Sequence, residues 1–251
     1  MSIRPAPVRL YYEQRGGISV EFMLLFMERK GAPKGEPGGP AEMKKFAGEL
    51  ARQGKLRRGA PLVAESAGAR VRVRDGKAFV SDGPFAESKE IVGGFWIIEA
   101  ASREEAIEIA RRCPHARHGV VEVHLVRWRD TAADPEKGIP FLFAFQTEPG
   151  LTDPDGSKMR EMIGFGEALK RDGKFLETAP LAHDPPPARI EPRGGKTLVT
   201  DGPFAEAKET VGGYGIVRVA SRAEAIDLAK RYPHAKWGPV EVREIMFFDP
   251  T

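Results

Sequence analysis

The chain has 251 residues, 41% hydrophobic and 30% charged, the proportions of an ordinary globular protein. Its 39 basic and 36 acidic residues leave a formal charge of +3, too even to mark a nucleic-acid partner, and no apolar run is long enough to cross a bilayer. The lone cysteine, Cys113, excludes an internal disulfide and fits a reducing, cytoplasmic setting.

Residues 1–19 hold Arg4, Arg9 and Arg15 among prolines and glycines without an apolar signal-peptide core, and read as a flexible N-terminal extension. Phe22 to Met27 is a continuous apolar run, short enough for a strand covered on both faces. After a Gly/Pro-rich loop, Met43, Phe46 and Leu50 recur at helical spacing, and Gly54 follows where a left-handed cap ends a helix. Alternation over Ala69–Arg74, an Asp75-Gly76 turn and the return through Lys77–Ser81 predict a hairpin. Ile91–Ile98 is apolar on both parities, as a central strand is. Ser102-Arg103-Glu104-Glu105 is a capping box in which the serine accepts an amide hydrogen bond and Glu105 reaches back to the serine amide. Its helix stops at Pro114, and Val120–Val126 supplies the last strand.

All of this then recurs. Asp82-Gly83-Pro84-Phe85-Ala86-Glu87 returns as Asp201-Gly202-Pro203-Phe204-Ala205-Glu206, an offset of 119 residues. The same offset aligns Phe22 with Phe141, Phe46 with Phe165, Gly54 with Gly173, Ser102 with Ser221 and Glu122 with Glu241, with roughly 40% identity and no gap. Two domains are expected, 20–130 and 139–251, joined by a short polar link. Each reads as β, α, β, hairpin, β, α, β, a ferredoxin-like α+β domain. Two helices cover one face of such a sheet, yet the central strands are apolar on both. The second face is therefore expected to pack against its twin, making an intrachain pseudo-dimer with crevices beside the repeated turns. Further oligomerisation is left open.

The repeated Asp-Gly-Pro-Phe motif after a basic hairpin, the Gly93-Gly94-Phe95-Trp96 strand, the Ser-x-x-Glu helix and the closing Val-Glu-Val strand resemble the YCII-related (DGPF) family. That resemblance implies a dimeric α+β barrel, normally made by two single-domain chains. It also offers two functional leads: dehydrochlorinase or isomerase-like chemistry, and an accessory role in transcription initiation. A histidine on the first helix, part of a dyad proposed in the smaller branch, has Met43 and Met162 in its place here.

Candidate chemistry gathers at the repeated turns. Asp82, Glu87 and Lys89, with Asp201, Glu206 and Lys208 in the second copy, are candidates for proton transfer if the turn aims them into a cleft. The structural alternative is that aspartate, glycine and proline simply build the turn. Arg70 and Arg189 are candidate anion ligands, or partners of carboxylates on neighbouring strands. Glu90, Glu209 and Trp96 complete the candidate ligand-binding set, together with His115 and His234, which follow helix-ending prolines where a protonated ring is favoured. Trp96 faces Gly215, so one half is expected to carry a pocket that the other fills. No metal and no cofactor are expected. The function this sequence supports is binding of a small molecule, with lyase or isomerase chemistry as its enzymatic form; the alternative is a non-catalytic regulatory protein acting through a protein partner.

Overall fold

The computed structural model describes residues 20–29, 39–85, 90–134, 136–148, 150–194, 196–202, 204 and 210–246. The first copy contributes β1 (Val20–Arg29), α1 (Pro40–Arg52), β2 (Leu56–Pro61), β3 (Ala69–Arg74), β4 (Lys77–Asp82), β5 (Glu90–Ala100), α2 (Arg103–Arg112) and β6 (Val120–Leu125). A two-residue β7 (Asp130–Thr131) lies in the link. The second copy contributes β8 (Ile139–Thr147), α3 (Ser157–Arg171), β9 (Phe175–Pro180), β10 (Ala188–Arg193), β11 (Lys196–Asp201), β12 (Thr210–Val219), α4 (Arg222–Arg231) and β13 (Val240–Glu244). The extension 1–19 lies outside the described residues.

Strand alternation explains the layers. Phe22, Leu24 and Phe26 point from β1 toward α1 and α2, where they meet Phe46, Leu50, Ala106 and Ala110. Met23 and Leu25, on the opposite parity, enter a core shared with Leu142, Ala144 and Ile216 of the second copy. In β8 the assignment repeats, with Phe141, Phe143 and Phe145 facing the helices. The two sheets therefore pack face to face within one chain, and the doubly apolar strands are those buried on both sides.

The hairpins depart from expectation. The sheets run β11-β10-β6-β1-β5-β2 and β4-β3-β13-β8-β12-β9-β7, so each hairpin extends the sheet of the other copy. Val71 pairs with Val240 and Arg70 with Glu241 on β13, while Ile190 pairs with Val121 and Arg189 with Glu122 on β6. The physical reason is visible at the contact faces: Ala69 and Val71 complete the second copy's helix-side core, and Ala188 and Ile190 complete the first. The capping boxes also differ in detail. Ser102 Oγ accepts from the Glu105 amide at 3.2 Å as predicted, but the Glu105 carboxylate accepts from Ala101 N–H at 2.6 Å, one residue before the serine.

Pseudo-equivalent residues meet where the two sheets face each other. Arg58 donates from Nε to the fully buried Glu177 at 2.8 Å, and these two are mates under the 119-residue offset. Phe95 and Tyr214, also mates, lie with ring centroids 6.5 Å apart. In a dimer of identical chains, positions on the twofold axis would oppose themselves. Here duplication has let like-facing-like become a complementary ion pair, and Tyr214 Oη adds a 2.5 Å hydrogen bond to Glu177.

Candidate functional site

The repeated motif is built into the hairpin exchange. Asp82, at the end of β4, forms an ion pair with Arg222 at the start of α4; Asp201 does the same with Arg103 at the start of α2. Each pair joins residues of different copies. Gly83 is required by close approach, because a Cβ there would lie 2.0 Å from the Glu65 carbonyl oxygen. Phe85 is buried with its ring centroid 4.3 Å from the Arg70 guanidinium carbon, so it roofs the ion pair that Arg70 makes with Glu241. The motif thus fastens a borrowed hairpin, and Asp82 and Asp201 are turned outward rather than into a cleft. Glu87, Lys89, Glu206, Lys208 and Glu209 lie outside the described residues.

Exposure makes those aspartates weak latches. Their side chains are 71% and 61% accessible, so Asp82→Asn combined with Asp201→Asn is expected to change stability by less than about 1 kcal/mol. Urea unfolding measures it; a loss of several kcal/mol would make the latches essential to hairpin capture.

Arg70 and Arg189 behave as cross-strand partners of carboxylates. Arg70 donates to Glu241 from Nε at 3.1 Å and from Nη2 at 3.0 Å. Arg189 pairs with Glu90 and with Glu122, which also accepts from His124 at 3.0 Å. Burial pushes the Glu122 carboxyl up, but His124 and Arg189 outweigh it, and the net shift is downward. These guanidiniums are thus already engaged by protein carboxylates.

Trp96 belongs to the core rather than to a ligand surface. It is buried against Phe26, with ring centroids 4.9 Å apart, and stacks on Phe46 at 6.1 Å. Its space exists because Gly59 has no Cβ; one would sit 2.2 Å from the indole. In the second copy, Gly215 replaces Trp96, Thr178 replaces Gly59 and Tyr232 replaces Cys113. The Tyr232 ring moves into the vacated region, 4.9 Å from Phe145 and 4.7 Å from Phe165.

A cavity of about 330 Å³ opens in the second copy between α3 and the edge formed by β9 and β12. Phe145, Met162, Ile163 and Trp237 furnish apolar wall; Arg127 and His183 are among its polar lining. His183 stands where the first copy has Ala64, and Trp237 where it has His118. Arg127, Trp128 and Asp130 follow β6 at the end of the first copy, and this stretch runs beside β9 through an Arg127 N–H to Pro180 carbonyl bond of 3.1 Å. Both lining carboxylates have protein partners: Asp153 accepts from the Lys158 and Met159 amides, and Asp130 from Lys170. Burial, then His124 and Arg127, hold the His183 pKa below its ordinary value, so its ring is neutral at pH 7.

Against known proteins, the YCII-related domain model matches residues 20–129 and again 139–249. The chain belongs to the YCII-related family. An uncharacterized protein of Rhizobium meliloti (strain 1021) is 46% identical over 100 residues, covering 39% of this chain and 81% of that protein. A crystal structure described as a candidate chlorite dismutase overlaps 91% of this chain and 95% of its own at 9% identity, with a TM-score of 0.42, a likeness too distant to bear on function.

Within this tandem YCII-related chain, His115 and His234 occupy matching positions and neither ring is cationic at neutral pH. His115 Nε2 lies 3.0 Å from the Met27 carbonyl oxygen, and His234 Nε2 lies 2.9 Å from that of Gln146. Burial pushes the His115 pKa down to about 4 and lowers that of His234. The expected helix-end cations are therefore neutral rings tied to central strands, and His234 alone also lines the cavity. Folded pKa values below the unfolded one mean the unfolded chain binds the extra proton. Stability from His115 is complete above about pH 6.5 and drains away toward pH 4, by at most about 1.4 kcal/mol per pH unit. His115→Asn is expected to flatten that part of a urea-midpoint profile between pH 7.5 and 4.5.

Sequence reading passed over Arg127, Trp128 and His183, and noted Trp237 only as the counterpart of His118. The signal available was difference rather than likeness: His183 against Ala64, Trp237 against His118 and Thr178 against Gly59 mark where the copies diverge in size and chemistry.

Proposed function

We propose that this YCII-related protein binds one small organic molecule per chain, in the cavity of its second copy. The observation that carries this reading is a cavity of about 330 Å³ in the second copy, in which apolar walls meet a set of charged and polar side chains, with His183 and Trp237 standing where the first copy has Ala64 and His118. That volume lies at the lower end for ligand sites, which suits a small metabolite. The neutral His183 ring is the lining group suited to accept a proton, and lyase or isomerase chemistry would begin there.

Protein docking is less well supported. Large apolar side chains on the described surface are Phe79, Val80, Ile163, Val199 and Met246, and Phe79 and Val80 are successive residues of one strand, on opposite faces. Ligand-observed NMR with a fragment library of mixed charge tests the proposal. Binders are expected to titrate at one site per chain and to be lost in Ile163→Trp, a bulky change at an exposed lining position. Binding unaffected by that variant, or no binder at all, overturns the reading.

A further inference from the structure

Charge within the cavity is unevenly committed. The Asp153 carboxylate is occupied by the first-turn amides of α3, at 3.1 Å and 3.0 Å, and Asp130 receives Lys170 at 2.6 Å. Among the cations, Lys158 donates to the Thr152 carbonyl oxygen at 2.8 Å and stands 5.8 Å from the centre of the Trp237 ring. Arg127 differs from all of these. Its guanidinium has no hydrogen-bond or ion-pair partner among the described residues, although its backbone is pinned to β9. The contrast with Arg58, Arg70, Arg129 and Arg189, each paired with a carboxylate, is direct.

A planar guanidinium beside an apolar cavity is suited to bidentate capture of a carboxylate. The rest of the lining fits the remainder of such a molecule. Phe145, Met162, Ile163 and Trp237 offer flat or adaptable apolar contact, and His183 lies next to Arg127 as a neutral group able to share a hydrogen bond. Gly212 lets this corner close up, since a Cβ there would lie 2.1 Å from Thr147 Oγ1 and 3.7 Å from His183 Cε1.

We propose that the ligand is a small planar carboxylate, its acid group held by Arg127, just after β6, and its apolar body seated against Phe145, Met162 and Trp237. This rests on the reading that the cavity binds a small molecule, and it adds the chemical class and the anchoring residue. Arg127 differs between the copies: its counterpart under the repeat is Met246, near the end of the second copy. The first copy has alanine at the position of His183, so the acid-binding corner has no twin.

Matched probes test it on the full chain: benzoate and indole-3-carboxylate against benzamide and indole-3-carboxamide, followed by calorimetry and ligand-observed NMR. The acids are expected to bind at least about tenfold more tightly than the amides, the usual gain from a charged hydrogen-bond partner. Arg127→Gln is expected to erase that preference without moving the melting temperature, and Arg127→Lys to restore part of it. Equal binding of acids and amides, unchanged by Arg127→Gln and abolished by Ile163→Trp, overturns the anionic class while leaving the cavity reading standing. Binding that persists in Ile163→Trp, or its absence for all four probes, overturns both.

Discussion

Glu177→Gln is expected to destabilise the protein by about 3 kcal/mol, since removing one partner from a buried ion network strands the others. Glu177 is fully buried between the sheets and serves Arg58 at 2.8 Å, Arg129 at 3.2 Å and Tyr214 Oη at 2.5 Å. Burial, reinforced by the neighbouring Glu177 carboxylate, pushes the Tyr214 hydroxyl well above its ordinary pKa, which keeps it a donor to Glu177. The low end of the range for broken buried pairs applies because Arg58 keeps a side-chain accessibility of 36%. For a chain of this size the loss corresponds to a fall in melting temperature of roughly 6–12 °C. Exchanging the charges, Arg58→Glu with Glu177→Arg, is expected to recover only part of it, because Arg129 would then face a second guanidinium. Thermal and urea unfolding of both variants decides the matter. A loss below about 1 kcal/mol for Glu177→Gln would show that water reaches the network and that the pair adds little.

A second large effect is expected where the copies exchange bulk. The first copy combines Trp96, Gly59 and Cys113; the second combines Gly215, Thr178 and Tyr232. These are alternative fillings of one region. A Cβ on Gly215 would lie 3.1 Å from Tyr232 Oη and 3.3 Å from Phe145, so Gly215→Trp alone is expected not to fold. Tyr232→Cys alone removes a fully buried ring and is expected to lose about 3 kcal/mol. The triple variant Gly215→Trp, Thr178→Gly, Tyr232→Cys transplants the first copy's solution and is expected to regain a folded protein. Non-additivity well above about 1 kcal/mol in the cycle is the diagnostic. Additive losses would mean that the two sets evolved without reference to each other.

Much of this architecture was legible in sequence, and the reasons are specific. Phe22 to Met27 and Ile91 to Ile98, apolar on both parities, require cover on both faces, and the facing sheets supply it. Gly54 and Gly173 take positive φ values of 70° and 66° just past their helices, as the left-handed cap predicts. Hairpin ownership was not legible, because a strand of alternating valine and arginine pairs equally well with either β6 or β13 until chain connectivity is known. The cavity was half legible. Comparing Trp96 with Gly215 raised the expectation of a pocket in one half, whereas Arg127, Trp128 and Asp130 were not singled out, although Arg127 against Met246 differs between the copies. Among the described residues of the charged motif, Asp82 and Asp201 reach across to Arg222 and Arg103 of the other copy.

The borrowed hairpins bear on how the chain comes into being. While the N-terminal half alone has been synthesised, β6 lacks the β10 partner that completes its sheet, and β3 with β4 has no β13 to join. Neither lobe is a finished object by itself, so severing the polypeptide in the link should yield fragments that either reassemble in pairs or fail together. What looks like two beads on a thread is a knot tied only when both ends of the thread are present.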